Sequence, residues 1–320
     1  MNELSQCTVA IVGAGYMAKE HIRAFKALPG VSIAGIFSRT TNRAESVAQE
    51  FSIPLVAQSL DELYQKTKAQ LLVLAVNAEY VADMIVQSTK HPWAILAEKP
   101  VGLSYEEYTL TAQRVTEKKS QVFVAVNRRF YASTLAVLNG LKVIPDTTPR
   151  FIEVFDQQEP AKLLTMGKTA REVEKIMYAN GIHLMDFFSI FSRGSIASVT
   201  PVFPWKSPAP LAVAAAVTFT SGDYGMYHAI WDAPAPWGVA VTTAEKRWEL
   251  RPLEKAFYQE KGSRSRIEVP EDELDIQFKP GLYRQAQEAV KAALGKTSNS
   301  VPLSSLDNTM NIIEQIYTPA

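Results

Sequence analysis

The first 126 residues alternate short β-branched runs with longer amphipathic ones, a rhythm that admits little except a parallel sheet with helices on both faces. It predicts strands at 8–12, 31–37, 71–76, 93–97 and 122–126, with a short one at 54–56. Helices are predicted at 16–28, 42–51, 60–66, 79–89 and 105–119. Two of them start in capping-box register, Ser59 with Glu62 and Ser104 with Glu107, where each side chain can satisfy an orphan backbone N–H. Pro29-Gly30 stops the first helix.

After Asn127 the rhythm changes to a helix at 131–138, a Pro- and Thr-rich loop and a strand at 151–156. Further strands follow at 211–219, 225–230, 239–243 and 247–250, joined by short turns that favour antiparallel order. Helices are expected from near Thr169, which stands in capping register with Glu172, and at 182–191, 282–294 and 306–317. The fold class expected is α/β: a doubly wound parallel sheet at 1–126, then an α+β domain with a largely antiparallel open sheet at 127–320. The C-terminal helices are free to pack back on the first domain.

Strand 8–12 runs directly into Gly13-Ala14-Gly15-Tyr16-Met17-Ala18 and then a helix, the G-x-G-x-x-G/A string in the Rossmann context that gives it meaning. Gly13 makes the tight turn, Gly15 admits a pyrophosphate to the backbone, Ala18 lets helix pack on strand, and the free N–H groups from Tyr16 and Met17 onward face the phosphates. An NAD site usually adds an acid about 20 residues on, at the end of the second strand. From His21 through Ala44 there is none. The strand ends in Ser38-Arg39-Thr40-Thr41, with Arg43 close behind, a set suited to a 2′-phosphate, where each charge-assisted hydrogen bond is worth about 1.5–3 kcal/mol. NADP is therefore expected in preference to NAD.

Lys plus Arg and Asp plus Glu balance at 33 each, which leaves no diffuse positive field for nucleic acid or anionic lipid. The single Cys7 excludes an internal disulfide and a Cys-rich zinc cluster, a usage typical of a reducing compartment. The longest apolar runs, 71–76 and 211–217, fall far short of the ~18 residues that span a bilayer. The N-terminus lacks a basic segment leading into a long apolar one. The expectation is a cytoplasmic protein with a small-molecule substrate and no nucleic-acid or membrane partner. Neither a His-x-x-x-His pair nor His-Glu-x-x-His is present, so no metal site is expected.

Strand 93–97 delivers Glu98-Lys99-Pro100 at its C-terminal end, where ligands of open α/β sheets bind. Together with the glycine loop, Asn127-Arg128-Arg129-Phe130-Tyr131, Gly181-Ile182-His183-Leu184-Met185-Asp186 and Lys279-Pro280-Gly281, this resembles the Gfo/Idh/MocA family of NAD(P)-dependent oxidoreductases over nearly the whole chain. The resemblance implies hydride transfer between nicotinamide and a carbon of a sugar, sugar nucleotide or polyol. It implies that Lys99 sits between nicotinamide and substrate and passes a proton, that Glu98 contacts the cofactor side, and that Pro100 follows a cis bond. Asn77-Ala78-Glu79 departs from the family's Thr-Pro-Asn, so Val76 and Asn77 are expected to contact cofactor through backbone.

His183, alone among four histidines on a family motif, is the expected general acid or base. The family's usual Asp four residues earlier is Ala179 here. Either Asn180 or Tyr178 orients the substrate, or Lys99 carries more of the acid–base work, or the reaction differs from alcohol dehydrogenation. Asn127, Arg128 and Asn180 are the expected substrate residues. Arg128 or Arg129 binds a substrate carboxylate or phosphate, or forms an ion pair between domains. Two other functions remain open: reduction of a different C=O or C=N compound on this scaffold, and a cofactor-binding regulator or structural subunit without catalysis. The family also implies a homo-oligomer, and the apolar alternation Leu211, Val213, Ala215, Val217, Phe219 beside a flat face of Ala212, Ala214, Ala216 and Thr218 suits one.

Overall fold

A computed structural model describes residues 6–206 and 209–318. The chain divides into two compact units, one holding the chain through Asn127 plus Ile276–Ser305, the other Arg128–Asp275 plus the chain from Leu306.

The first unit contains β1 (Cys7–Val12), α1 (Tyr16–Lys26), β2 (Val31–Phe37), α2 (Thr41–Phe51), β3 (Val56–Ala57), α3 (Leu60–Thr67), β4 (Leu71–Leu74), α4 (Ala78–Ser88), β5 (Ala94–Ala97), α5 (Tyr105–Glu117) and β6 (Val122–Val124). Its strands form one sheet in the order β3-β2-β1-β4-β5-β6, every pair parallel. The order reverses between β1 and β4, which opens a crevice beyond their carboxyl ends. All four residues of β4 are buried, as expected of a strand covered on both faces. Val9 and Ile11 pack with Ile22 and Phe25 of α1 and with Leu282, Ala286 and Val290 of the late helix Leu282–Ala293. Truncating a fully buried ring such as Phe25 costs about 3–5 kcal/mol. Cys7 belongs to this core, and burial pushes its thiol up to about 11.

Ser59 and Ser104 accept from the Glu62 and Glu107 amides as predicted, and the two glutamates accept from the Gln58 and Leu103 amides. The predicted strand ends 71–76 and 122–126 are too long by two residues, because the chain leaves the ladder at Leu74 and Val124 to form the loops above the sheet.

In the second unit lie α6 (Ala132–Leu141), β7 (Phe151–Gln158), α7 (Pro160–Thr165), α8 (Ala170–Glu174), α9 (Ile182–Phe191), β8 (Ile196–Phe203), β9 (Ala212–Phe219), β10 (Tyr224–Trp231), β11 (Gly238–Thr242), β12 (Lys246–Leu250), β13 (Phe257–Glu260), β14 (Ile267–Glu268) and α12 (Asp307–Tyr317). Between these come α10 (Glu273–Gln277) and α11, the helix Leu282–Ala293 already placed in the first unit. The sheet order is β14-β13-β12-β11-β7-β10-β9-β8. Every pair is antiparallel except β7 with β10, so the open sheet is mixed at its centre. Phe187, Phe188 and Phe191 of α9 are fully buried. Thr169 and Glu172 form a full capping box at α8.

Strand β8 has no counterpart among the sequence expectations. It is a largely exposed edge strand carrying Pro201 and two register breaks, so its sequence shows no apolar alternation. Leu211 precedes β9 and is 69% exposed, so it takes no part in that strand's packed face, and Ala214 on the opposite face is itself buried. No helix among the described residues is long and apolar enough to cross a membrane.

Candidate functional site

A cavity of about 500 Å³ opens above β1, β2 and β4. Gly13, Gly15, Ser38, Arg39, Thr40, Arg43, Val76 and Asn77 all line it, which brings together most of the expected cofactor residues. Gly13 adopts φ +110°, and a Cβ there would stand 2.1 Å from the Ala75 carbonyl oxygen, so no other residue fits this turn. Gly15 is the N-cap of α1, and a Cβ built on it meets nothing within 4 Å. A side chain at Gly15 would fill open space beside the helix start.

Neither α1 nor α2 has a side-chain cap or an acid in its first turn, whereas Ser59 and Ser104 cap α3 and α5. The first N–H groups of α1 and α2 are thus left for an anion, with the positive end of each helix dipole behind them. Arg39 lies with its guanidinium 3.8 Å from the Tyr80 ring centroid, a contact that restrains an exposed side chain at the cavity rim. Sequence reasoning missed the wall formed by Gln58, Asp61, Tyr80, Asp83 and Lys90. These residues come from the β3–α3 junction, from α4 and from the turn after it, and only sheet order brings them beside the end of β2. Asp61 carries a hydrogen bond from His91 at 2.9 Å.

The remaining residues of the first unit stand apart from this cavity lining. Tyr16 is 65% exposed, with the Lys279 Nζ 5.6 Å from its ring centroid, and Ala18 is buried against the core. Met17 packs at the core edge. Glu98, at the end of β5, is buried and shares a 2.8 Å hydrogen bond with His21 Nε2, itself 1% exposed. Lys99 is half-buried and its bond to Pro100 is cis. The Asn127 carboxamide donates to the Pro280 carbonyl at 3.0 Å.

Within the second unit, His183 lies half-buried in the first turn of α9, directly after a π-helical turn, Met177–Gly181. Turns of this kind concentrate at functional sites. Arg128 has its guanidinium 4.9 Å from the Trp237 ring centroid, and its Nη1 has no hydrogen-bond partner. Burial lowers its affinity for the proton from the usual arginine value. Arg129 forms a two-pronged pair with Asp186, Nε at 2.7 Å and Nη2 at 2.6 Å, and Thr309 donates to the same carboxylate. The ion pair considered for these arginines is therefore internal to the second unit.

Residues 7–126 match the model of the Gfo/Idh/MocA oxidoreductase family, described as an NAD-binding Rossmann fold. A dehydrogenase structure from Chromobacterium violaceum superposes with a TM-score of 0.80 at 18% identity, covering 98% of this chain and 94% of that one. The chain has a Gfo/Idh/MocA-type NAD(P)-binding oxidoreductase fold. A UDP-N-acetylglucosamine 3-dehydrogenase of Acidithiobacillus ferrooxidans shares this Gfo/Idh/MocA-type fold with a TM-score of 0.75 at 14% identity, over 97% of this chain and 96% of that one. In sequence, inositol 2-dehydrogenase of Rhizobium meliloti is 24% identical over 131 residues, 41% of this chain and 39% of that protein. The matched stretches span only 26% to 39% of the first curated relatives' length. The residues present at the cavity fit a dinucleotide: Gly13 and Gly15 leave the backbone open, and two uncapped helix starts face the same space.

Proposed function

We propose that this is a cytoplasmic, NADP-dependent oxidoreductase acting on a carbinol or carbonyl carbon of a sugar, sugar nucleotide or polyol. The observation that carries the cofactor choice is the rim at the end of β2, where Ser38, Arg39, Thr40 and Arg43 meet the uncapped start of α2 and neither β2 nor the first turn of α2 carries an acid. Gly13, Gly15 and the first amides of α1, from Tyr16 through Ala18, would hold the pyrophosphate. Arg39 and Arg43 would hold the 2′-phosphate, and Val76, Asn77, Glu98 and Lys99 would border the nicotinamide. When bound, the nicotinamide supplies or accepts the hydride.

Lys99 donates a hydrogen bond to the substrate oxygen and exchanges a proton with it, a role open to a half-buried ammonium at the end of β5. His183 serves as a second acid or base, and Asn127, Arg128 and Asn180 orient the substrate. The first unit takes the cofactor in this reading, and the second takes the substrate and assembles the homo-oligomer through the β9 sheet face. The substrate class is supported by the activities of two relatives, inositol 2-dehydrogenase and UDP-N-acetylglucosamine 3-dehydrogenase.

The test is a fluorescence titration with NADPH and NADH, followed by absorbance assays with NADP⁺ against myo-inositol, UDP-N-acetylglucosamine and related polyols. NADPH is expected to bind at least about tenfold more tightly. Equal affinity would overturn the β2 assignment and turn attention to Asp61 and Asp83 as ribose partners. A monomer by light scattering at micromolar concentration would count against the assembly.

A further inference from the structure

The π-helical turn before α9 is braced from outside. Tyr178 donates its hydroxyl to Glu314 of α12, and Asn180 Nδ2 donates to Gln158 Oε1 on β7 at 3.3 Å. Gln158 is completely buried, and its Nε2 donates to Asp156 Oδ2 at 2.7 Å. The same oxygen accepts the Tyr227 hydroxyl of β10 at 2.8 Å, and that hydroxyl lies 2.7 Å from the Tyr317 hydroxyl of α12. Asp156 is 1% exposed, and its Oδ1 has no partner.

This chain of side chains has a polarity. An Oδ2 that accepts the Tyr227 hydroxyl has no proton to give, whether the carboxyl is ionised or carries its proton on the unpartnered Oδ1, so Gln158 must turn its NH₂ to Asp156 and its carbonyl oxygen to Asn180. That carbonyl in turn demands the NH₂ of Asn180. The Asn180 Oδ1 is then the acceptor end of this half-buried carboxamide, three residues ahead of His183. Were Asp156 apolar, Gln158 could flip at no cost and Asn180 with it.

We propose that Asp156 is a positioning residue for substrate binding: through Gln158 it fixes the Asn180 carboxamide with its carbonyl oxygen presented to a hydroxyl group of the substrate. The inference rests on the reading of Asn180 as a substrate residue and narrows it, because the group recognised must have a proton to give. A sugar or polyol hydroxyl qualifies; a carboxylate or keto oxygen does not.

Two readouts test it. In ¹⁵N-labelled protein the Asn180 side-chain amide signals, assigned by their loss in Asn180→Asp, report the orientation without substrate. They shift in Asp156→Leu and in Gln158→Met, the second variant guarding against misfolding in the first. They stay near their wild-type positions in Asp156→Asn, which keeps an acceptor oxygen between Tyr227 and Gln158. In assays with NADP⁺ and whichever of myo-inositol and UDP-N-acetylglucosamine is oxidised, Asp156→Leu raises KM about tenfold or more with kcat little changed, and Asp156→Asn restores it. The KM penalty disappears when Asp156→Leu is placed in an Asn180→Ala background.

Unchanged amide signals in both Asp156→Leu and Gln158→Met, or an equal KM penalty in both backgrounds, overturns the proposal alone. An unchanged KM in Asn180→Ala itself overturns the substrate reading of Asn180 and this inference with it.

Discussion

In the first unit the polar groups around the cavity are mostly backbone: the α1 and α2 amides stand without side-chain caps, and Gly13 and Gly15 keep side chains out of their way. In the second unit the polar groups are side chains locked to one another out of water. Asp223 collects Arg193 and the Arg150 amide, Asp186 collects Arg129 and Thr309, and Asp156 collects Tyr227 and Gln158. A surface that waits for an anion must leave donors unpaired and hydrated. A scaffold that must hold a substrate in one orientation pairs its buried groups internally, because each orphan there costs about 1–3 kcal/mol.

If the first unit carries both the cofactor and the main proton donor, Lys99→Ala should have the largest effect of any single change. A loss of about 10³-fold in kcat is expected, with NADPH affinity within a few fold of wild type, since the lysine's contacts strengthen mainly in the transition state. His183→Ala on the second unit should cost less than Lys99→Ala, toward the lower end of the roughly 10²–10⁴ range of a general acid. Turnover near wild type in both variants, measured on the substrate the panel identifies, would leave only the cofactor site standing.

The interlocked character of the second unit is tested by Asp223→Ala. The carboxylate is 1% exposed and takes Arg193 Nη2 at 2.6 Å, the Arg193 amide at 2.8 Å and the Arg150 amide at 2.9 Å. Removing it leaves the Arg193 guanidinium its bonds to Asp146 and the Thr148 carbonyl but takes the acceptor from two backbone amides, so urea unfolding should show a loss of about 2–4 kcal/mol. A change under about 1 kcal/mol would mean that the pair behaves as a surface salt bridge.

Arg39→Ala probes the opposite case, an exposed group whose work is binding rather than folding. NADPH affinity should fall about 10–100-fold, the worth of one charge-assisted hydrogen bond, with NADH affinity and melting temperature nearly untouched. A matching loss for NADH would show that the guanidinium serves the adenosine rather than the 2′-phosphate.

The same contrast explains what could be read from the sequence. Gly13-Ala14-Gly15 after a β-branched run declares its own conformation, so the phosphate loop and the parallel sheet around it were legible, β2 to the residue. Asp61, Tyr80 and Asp83 were not, since only the parallel order of β2, β1 and β4 carries α4 and the start of α3 to the same cavity. Asp156, Tyr227 and Tyr317 lie on three elements far apart in sequence and meet only because β7 pairs with β10. No local pattern announces such a meeting, and the one parallel pair in an otherwise antiparallel sheet was itself not anticipated.

The smallest effect separates two aspartates of the second unit by sign. For Asp223, burial alone would raise the carboxyl, but hydrogen bonds from the Arg193 side chain and the Arg150 and Arg193 amides outweigh it and hold the group below its usual value. For Asp156, burial dominates its hydrogen bonds from Tyr227 and Gln158, and the carboxyl is raised. An unfolded aspartate titrates near pH ~3.9. The depressed Asp223 therefore contributes stability that is present above that pH and lost as pH falls through its lower folded value. The raised Asp156 contributes stability that is present below that pH and lost as pH rises through its higher folded value. Measured against the non-titrating variants, the melting-temperature advantage of wild type over Asp223→Asn should grow from acid to neutral pH, while its advantage over Asp156→Asn should shrink over the same range. If both differences move together, the Asp156 carboxyl is lowered rather than raised by folding, and the unpartnered Arg128 Nη1 becomes the first place to look for the charge that lowers it.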